Sequence, residues 1–264
     1  MNLTVQKVKI FSRGSGEGAP ILFLHGVPDT HEIWNPIVAG LESEFRCITP
    51  DWPSFGNSGS GEALDCSLEG HADFVNELTN ALDLQEPFYL VAHDFGGISA
   101  MAFASKYPER VRRMVISNAP FSPDYNWHFM AKVWRTTLLG ELSMLTMNRM
   151  AFTLSIGQGS EKLSKQHIHN MFSQLSPEMK KMILKMYRAI PVECFKEWHP
   201  RLLKATSRIP TLILWGEKDP YLPKWLAESY GTQEVNYYSD SGHWAPAEEP
   251  AAFTADLKNF LKDN

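Results

Sequence analysis

Cysteine is scarce in this sequence, and the three cysteines present are widely separated. Cys47, Cys66 and Cys194 are an odd number of thiols spread over a chain of 264 residues. Small secreted domains instead carry an even set of cysteines at close spacing, which forms a disulfide frame. We therefore interpret all three as reduced, buried thiols and expect a cytoplasmic protein.

The sequence also lacks a positive charge excess, a long apolar run and a recognisable leader. Lys and Arg number 25 against 30 Asp and Glu, which gives a net charge of −5. The first residues, MNLTVQKVKIF, do not place a basic region before an apolar segment and a cleavage site. We expect a protein that binds neither nucleic acid nor a membrane, with a small apolar or neutral organic substrate.

No phosphate-binding or metal-binding pattern is present. The glycine-rich stretch RGSGEGAP, which starts at Arg13, lacks the GxGxxG and Walker spacings, and we predict a hairpin turn between the first two strands there. The histidines of HIH, His167 and His169, are two residues apart on a predicted helix, so they do not share a face. The sequence therefore predicts no metal and no cofactor.

Apolar segments alternate with amphipathic ones along most of the chain. Six short runs read as buried strands, and the stretches between them have apolar residues at helical spacing. The runs are ILFLH, FRCI, FYLVAH, RMVIS, TLILWG and VNYYS. This alternation predicts an α/β fold with a mostly parallel, doubly wound sheet. Residues 121–207 lack a strand and predict an all-helical lid, inserted between core segments 1–120 and 208–264.

Three polar residues follow predicted strands in the order nucleophile, acid, base. Asp94 follows FYLVAH within VAHDFGG, Asp219 follows TLILWG, and His243 follows VNYYS within SGHWAP. Each residue alone is compatible with a turn or a loop. Together, at strand ends and with small residues around Asp94, they predict a catalytic triad with an aspartate nucleophile.

A fourth motif, HGVP at 25–28, follows the strand ILFLH. The backbone there can direct the N–H of Val27 toward Asp94, where the N–H of Phe95 would join it as an oxyanion hole. The side chain of His25 is more typical of a residue that orders this loop than of one that reacts.

These motifs resemble the α/β-hydrolase family along nearly the whole chain. The similar segments are HGVPDTHEIW, ITPDWPSFGNSG, VAHDFGGISAMAFASKYPERVRRMVISNAP, LILWGEKDP and SGHWAPAEEP. The HGVP and HDFGG pair resembles the aspartate-nucleophile branch, which contains epoxide hydrolases and haloalkane or haloacid dehalogenases. The resemblance implies an α/β-hydrolase fold with a helical lid.

An aspartate nucleophile suits displacement at saturated carbon. A serine would form an ether that is hard to cleave, whereas Asp94 would form an ester. Water activated by His243 can then attack the carboxyl carbon of Asp94 and release an alcohol. Asp219 would hold the tautomer of His243 and stabilise its imidazolium form.

The residues around the predicted site favour an epoxide over a halide. Phe95 and Val27 occupy positions where haloalkane dehalogenases usually carry side-chain N–H donors, and neither side chain donates. The lid pair Trp127 and His128 resembles the halide-binding residues of fluoroacetate dehalogenases, and Trp34 could add an indole donor, so dehalogenation remains an alternative.

Lid tyrosines are the proton donors of epoxide hydrolases, and Tyr187 in KMYRAIP resembles one of them. The other candidate, Tyr125, lies earlier than the family pattern suggests. We therefore predict an epoxide hydrolase, with a dehalogenase as the first alternative and a small-ligand receptor or an esterase as further ones. For the acid, Asp124 after Asn118 is the alternative to Asp219.

Overall fold

A single eight-stranded sheet forms the centre of the protein in a computed structural model that describes residues 1–232 and 234–262. The strands are β1 (Asn2–Val5), β2 (Val8–Ser15), β3 (Ala19–Leu24), β4 (Phe45–Pro50), β5 (Phe88–His93), β6 (Val111–Ser117), β7 (Thr211–Gly216) and β8 (Glu234–Tyr238). Their order across the sheet is β1-β2-β4-β3-β5-β6-β7-β8. The predicted α/β fold with a mostly parallel sheet is confirmed.

Strand direction follows the burial of each strand. The pairs β1–β2 and β2–β4 are antiparallel, and every other pair is parallel. All six residues of β5 and of β7 are buried, as expected for strands covered on both faces. In β2, buried and exposed residues alternate at the start of the strand, which is typical of an antiparallel strand with one solvated face.

The helices found in the described residues fall into two groups by position in the chain. Those outside the predicted lid are α1 (Asn35–Leu41), α2 (Leu68–Ala81), α3 (Phe95–Lys106), α10 (Ala245–Glu248) and α11 (Pro250–Leu261). Those between β6 and β7 are α4 (Phe129–Arg135), α5 (Leu139–Thr146), α6 (Arg149–Gly159), α7 (Lys165–Gln174), α8 (Pro177–Ala189) and α9 (Phe195–Thr206). None of these helices combines the length and the hydropathy needed to span a bilayer.

Two apolar cores cover the two faces of the sheet. One contains α2 and α3, with Phe103 of α3 packed against Phe88 of β5. The other contains α1 and α11, with Phe253 of α11 packed against Trp34. Because β3 to β8 are parallel, the polar loops that follow them gather at the carboxyl ends of the strands, along one edge of the sheet.

The helices between β6 and β7 do not all cover that edge. α9 packs against α3, beside the sheet, and its residue Leu202 belongs to the same core. The layer that covers the strand ends therefore consists of α4 to α8. The predicted insertion 121–207 contains this cover together with one helix of the flanking layer.

The glycine-rich turn requires a correction. It connects β2 to β3, which are not neighbours because β4 lies between them. Gly16 and Gly18 have φ angles of +77° and +108°, and a Cβ on Gly16 would lie 2.3 Å from the carbonyl oxygen of Phe45. The turn is thus a tight crossing over the start of β4, and the predicted hairpin between the first two strands is wrong.

Candidate active site

Asp94 stands at the sharp turn between β5 and α3. Its backbone has φ 50° and ψ −123°, an unusual region for a residue with a side chain, which costs about 1–3 kcal/mol. The turn closes because Gly96 has no side chain: a Cβ there would lie 2.2 Å from the carbonyl oxygen of Leu24. The carboxyl group is therefore held at the end of β5, almost completely buried.

Two backbone N–H groups hold the carboxyl group of Asp94. The Val27 N–H donates to Oδ2 over 2.8 Å, and the Phe95 N–H also bonds to the carboxyl group. Gly26 permits this approach, because a Cβ on it would lie 2.5 Å from the Cβ of Asp94. The carboxyl group of Asp94 thus receives two backbone N–H donors, and these are the groups that an oxyanion hole at this position would use.

The loop that carries Val27 is fixed by a buried histidine. The Trp52 N–H donates to Nε2 of His25, whose Nδ1 lies 2.9 Å from the carbonyl oxygen of Gly26. Burial lowers the pKa of His25 against the opposing effect of Asp51, so the ring stays neutral at neutral pH. This bonding fits a residue that orders the loop.

His243 and Asp219 form a hydrogen-bonded pair beside Asp94. Nδ1 of His243 lies 2.7 Å from Oδ2 of Asp219, and Nε2 lies 3.9 Å from Oδ1 of Asp94. Burial alone would lower the pKa of His243, but the two carboxylates outweigh it and raise the pKa to about 9. The imidazole therefore faces Asp94 with a fixed orientation and a strong tendency to hold a proton.

Four donors fix the carboxylate of Asp219. The backbone N–H groups of Tyr221 and Leu222 donate to Oδ1, while His243 and the side-chain amide of Asn118 bond to Oδ2. Asn118 is buried at the end of β6 with φ 38°. Its amide also accepts from the Gly216 N–H, which ties the ends of β6 and β7 together.

Asn118 is a site residue to which the sequence analysis gave no role. It was named only as the strand-end residue that precedes the alternative acid, Asp124. Its strand-end position was the available signal, and the contact with Asp219 required the fold. Asp124, the alternative acid, is exposed in the loop after β6. The hydrogen bond to His243 is made by Asp219.

A second layer of contacts holds the loop of His243. Nε2 of His93 lies 2.9 Å from the backbone oxygen of His243, and the neighbouring indole of Trp244 donates to Oδ2 of Asp29 over 2.8 Å. Burial lowers the pKa of His93 to about 3, so the ring next to His243 adds no positive charge. Both loops of the site are thus linked through buried polar groups.

The protonation of Asp94 balances opposing effects. Burial raises its pKa, while His243 and the N–H groups of Val27 and Phe95 act to lower it. The net shift is upward, so the buried carboxylate is a stronger base than an aspartate in water. A carboxylate with little solvation and two oriented donors is suited to attack on a nearby carbon.

An apolar cavity of about 60 Å³ lies between this carboxyl group and the lid. The side chains that line it come from both regions. They are Val27, Pro28, Asp94, Pro120, Tyr125, Trp127, His128, Trp134, Met144, Met147, Phe152, Ser155, Ile156, Leu175, Ile183, Tyr187, Tyr221, Leu222, His243 and Trp244. Such a lining fits a small apolar or neutral molecule.

Tyr187 brings a free hydroxyl to the cavity. Its ring stands edge-on to Phe95, with the ring centres 4.7 Å apart. No side chain or backbone group in the described ranges accepts a hydrogen bond from its hydroxyl. Burial and the nearby charge of Asp94 raise the pKa of Tyr187 well above its usual value, so the hydroxyl keeps its proton.

Besides the hydroxyl of Tyr187, the cavity lining includes the imidazole of His128, which carries an N–H group. It caps α4, where Nδ1 accepts from the Ala131 N–H over 3.3 Å. Burial and the neighbouring His243 lower its pKa to about 4, so the ring is neutral. With Nδ1 as an acceptor, the single ring proton must be on Nε2.

The other predicted substrate contacts differ from one another. The Tyr125 hydroxyl donates to the backbone oxygen of Tyr221, so its one proton is engaged. Trp127 stacks on Phe95, but its indole nitrogen is buried in the wall with no hydrogen-bond partner among the described residues. Trp34 does not line the cavity, and its predicted substrate contact needs correction: the residues 31–34 form a 3₁₀ turn that buries its indole in the core of α1 and α11.

Comparison with known proteins identifies the family to which the chain belongs. A cis-3-alkyl-4-alkyloxetan-2-one decarboxylase of Shewanella oneidensis is 27% identical over 97% of this chain and 86% of its own length. Epoxide hydrolase 3 of Mus musculus is 26% identical over 96% of this chain and 73% of its own. The crystal structure of the Cif epoxide hydrolase from Acinetobacter nosocomialis has the same fold, with a TM-score of 0.86 at 20% identity, over 99% of this chain and 88% of that one. The family of the alpha/beta hydrolase fold matches residues 19–250, and the chain therefore belongs to that family.

Proposed function

We propose that this protein hydrolyses an epoxide to a vicinal diol through a covalent ester on Asp94. The observation that carries the proposal is that a carboxyl group with a neighbouring imidazole and two uncharged hydrogen-bond donors lie on opposite sides of one cavity. On the core side, two backbone N–H groups bond to the carboxyl group of Asp94, with that of Val27 on Oδ2, while Oδ1 faces His243. On the lid side, Tyr187 and His128 bring two uncharged donors to the same cavity.

In the first step, the carboxylate of Asp94 attacks a ring carbon of the epoxide. The C–O bond to the ring oxygen breaks, and this oxygen takes the proton of Tyr187 while His128 donates a hydrogen bond to it. The leaving oxygen stays on the substrate, so the donors must lie on the lid side, opposite the nucleophile. The apolar cavity strengthens both hydrogen bonds because water is largely excluded.

In the second step, His243 takes a proton from water, and the hydroxide attacks the carboxyl carbon of Asp94. Esterification removes the negative charge of Asp94, which is one of the charges that raise the pKa of His243. The pKa of His243 therefore falls in the ester, and the ring can act as a neutral base. The N–H groups of Val27 and Phe95 stabilise the oxyanion. Collapse of the tetrahedral intermediate breaks its bond to the substrate oxygen, which takes the proton of the added hydroxyl and leaves as the diol, so Asp94 is again a carboxylate. The proton on His243 returns through water to Tyr187.

Halide release has weaker support from the same geometry. A departing halide needs N–H donors that face the cavity. Phe95 has none on its side chain, and the indole nitrogen of Trp127 is buried away from the cavity surface. The N–H of His128 could serve as a donor in either kind of site.

Intact mass spectrometry of a His243→Gln variant tests the proposal. With the base removed, a small aryl epoxide should add its full mass to the protein and the ester should persist. The additional Asp94→Asn change should abolish the adduct, and a bromoalkane serves as the comparison probe. An adduct from the bromoalkane alone would move the protein to the dehalogenases, and no adduct from either probe would contradict the proposal.

A second candidate substrate is a β-lactone, favoured by the similarity to the oxetan-2-one decarboxylase. Asp94 would displace the ring carboxylate from the alkyl carbon of the four-membered ring. Loss of carbon dioxide would then form a C=C bond as the ester bond to Asp94 breaks, so an alkene is released without water. Tyr187 and His128 would stabilise the departing carboxylate as they would an alkoxide.

The two candidates differ in their need for a base. Epoxide hydrolysis needs His243 for the second step, whereas the decarboxylation route uses no water. A dialkyl β-lactone that gives alkene at an unchanged rate with the His243→Gln variant would favour the second candidate. Loss of turnover together with a stable epoxide adduct would favour the first.

A further inference from the structure

The outer surface of the lid is unusually apolar. Of the ten large apolar side chains exposed in the described part of the chain, seven fall between positions 129 and 154. They are between 54% and 82% exposed, and we call them the lid face. Its residues are Phe129, Leu138, Leu139, Leu142, Leu145, Met150 and Leu154. Exposed apolar side chains concentrated in this way mark an interaction surface.

The lid face belongs to helices that are apolar on two sides. In α5, Leu142 and Leu145 share an exposed side, while Met144 faces the cavity. In α6, Met150 and Leu154 share an exposed side, while Phe152 is buried at the cavity. A helix with apolar residues all round is normally covered on both sides, so the lid face requires a covering surface.

Charge is divided unequally between the lid and the rest of the chain. Residues 121–190 have nine Lys and Arg against four Asp and Glu, a net charge of +5. The rest of the chain has sixteen against twenty-six, a net charge of −10. Lys181 and Lys185 lie beside Glu141 of α5 on the outer side of α8, and Arg149 stands next to Met150. The lid face is thus bordered by basic residues.

We propose that the lid face docks on the surface of an anionic phospholipid bilayer. The exposed leucines and methionines would enter the boundary between headgroups and acyl chains, and the neighbouring lysines and arginines would meet the headgroups. The acidic remainder of the protein would point away from the membrane. A second copy of the chain fits less well, because lid-to-lid packing brings together two copies of a segment, 121–190, whose net charge is +5.

Docking in this way would place the lid helices between the bilayer and the cavity. Met144 and Phe152 line the cavity from the same helices whose outer sides carry the lid face. Apolar compounds concentrate in the acyl region, so the lid would stand where such compounds are most abundant. The docking itself is independent of the proposed function and is tested without an activity assay.

Co-sedimentation with vesicles tests the inference on the full chain. We expect binding to vesicles of phosphatidylcholine with about 30% phosphatidylglycerol, weaker binding at high salt, and little binding to phosphatidylcholine alone. The double variant Leu142→Glu/Leu145→Glu should lower the partition constant by at least about tenfold. The control Trp225→Glu changes an exposed apolar residue outside the lid face and should bind as the unmodified protein does.

A charge-matched pair of variants completes the test. Arg149→Glu/Lys181→Glu should also lower binding by at least about tenfold, whereas Lys204→Glu/Arg208→Glu makes the same change in net charge away from α4–α8 and should have little effect. Equal losses from both pairs would overturn the proposal, as would no binding to anionic vesicles. A dimer in solution that Leu142→Glu/Leu145→Glu dissociates would assign the lid face to a second copy and would overturn it too.

Discussion

The core loops and the lid build opposite walls of one cavity by different means. On the core side, hydrogen bonds hold both carboxyl groups: four donors bond to Asp219, and two N–H groups bond to Asp94. On the lid side, the ring of Tyr187 packs against the rings of Trp127 and Trp134, and its hydroxyl has no hydrogen-bond partner among the described residues. Under the proposed function, the core supplies the nucleophile and the base, while the lid supplies the donors to the leaving oxygen and most of the apolar lining.

The largest expected effect follows from replacing Asp94, the proposed nucleophile on the core side. Asp94→Asn should lower turnover of the epoxide by about 10⁴-fold or more, because no ester can form. It should also stabilise the fold, since burial opposes the charge of Asp94. Turnover and urea unfolding check both effects, with Asp124→Asn as the exposed control that should change neither. An Asp94→Asn variant that is less stable than the unmodified protein would contradict the inference that burial opposes the charge of Asp94.

The same glycine substitution should act differently in the two regions. In the core, Gly26→Ala would push its Cβ to within 2.5 Å of the Cβ of Asp94 and displace the donor Val27, so we expect a loss of about 10²–10³ in kcat. In the lid, a Cβ on Gly157 of α6 meets nothing within 4 Å. Gly157→Ala should leave kcat unchanged and stabilise the protein by about 0.5–1 kcal/mol. If Gly26→Ala and Gly157→Ala changed kcat equally, the tight approach of Gly26 to Asp94 would not be what the reaction requires.

The lid donors should affect ester formation and leave ester hydrolysis unchanged. Tyr187→Phe should slow adduct formation by about 10²-fold, with His128 supplying the remaining hydrogen bond. Tyr125→Phe should have a much smaller effect, because its hydroxyl already donates to Tyr221. Rapid quenching with excess enzyme separates the two steps. A Tyr187→Phe variant that accumulates ester would show that this hydroxyl serves the second step instead.

The smallest effect concerns the pH dependence of stability. The pKa of His243 is raised from 6.5 to about 9, so the stabilisation from its charged form is complete below pH 6.5 and is lost as the pH rises through about 9. Urea unfolding across this interval should show the decline, and His243→Gln should flatten it. In Asp94→Asn the decline should end at a lower pH and be smaller, because one of the carboxylates that raise the pKa of His243 in the folded protein is gone. A flat profile in the unmodified protein would contradict the assigned pKa.

Local motifs explain how much of the core could be predicted from sequence. VAHDFGG, WGEKDP and SGHWAP each follow a strand, and parallel strands bring their ends together, so Asp94, Asp219 and His243 could be placed without a structure. The contact of Asn118 with Asp219 spans 101 residues and has no local signature. The crossing at Gly16 also escaped prediction, because strand order across the sheet is a property of the whole chain.

Lid residues are harder to predict because their roles depend on which way each side chain turns. The sequence correctly indicated helices there, but it could not show that Trp127 stacks on Phe95 with its indole nitrogen buried. The same limit applies outside the lid to Trp34, which the fold buries in the core of α1 and α11. Composition has a similar limit. A net charge of −5 suggests an acidic protein throughout, whereas the charges are divided between a basic lid and an acidic remainder. The sequence alone predicted no membrane binding, and the vesicle experiment tests that expectation.

The central claim is that water attacks the carboxyl carbon of Asp94 and not the substrate. A single turnover of an aryl epoxide by excess enzyme in ¹⁸O-labelled water tests it most directly. We expect the label in the peptide that contains Asp94 and an unlabelled diol. Label in the diol, with none in the Asp94 peptide, would show direct attack of water on the epoxide and would contradict the account.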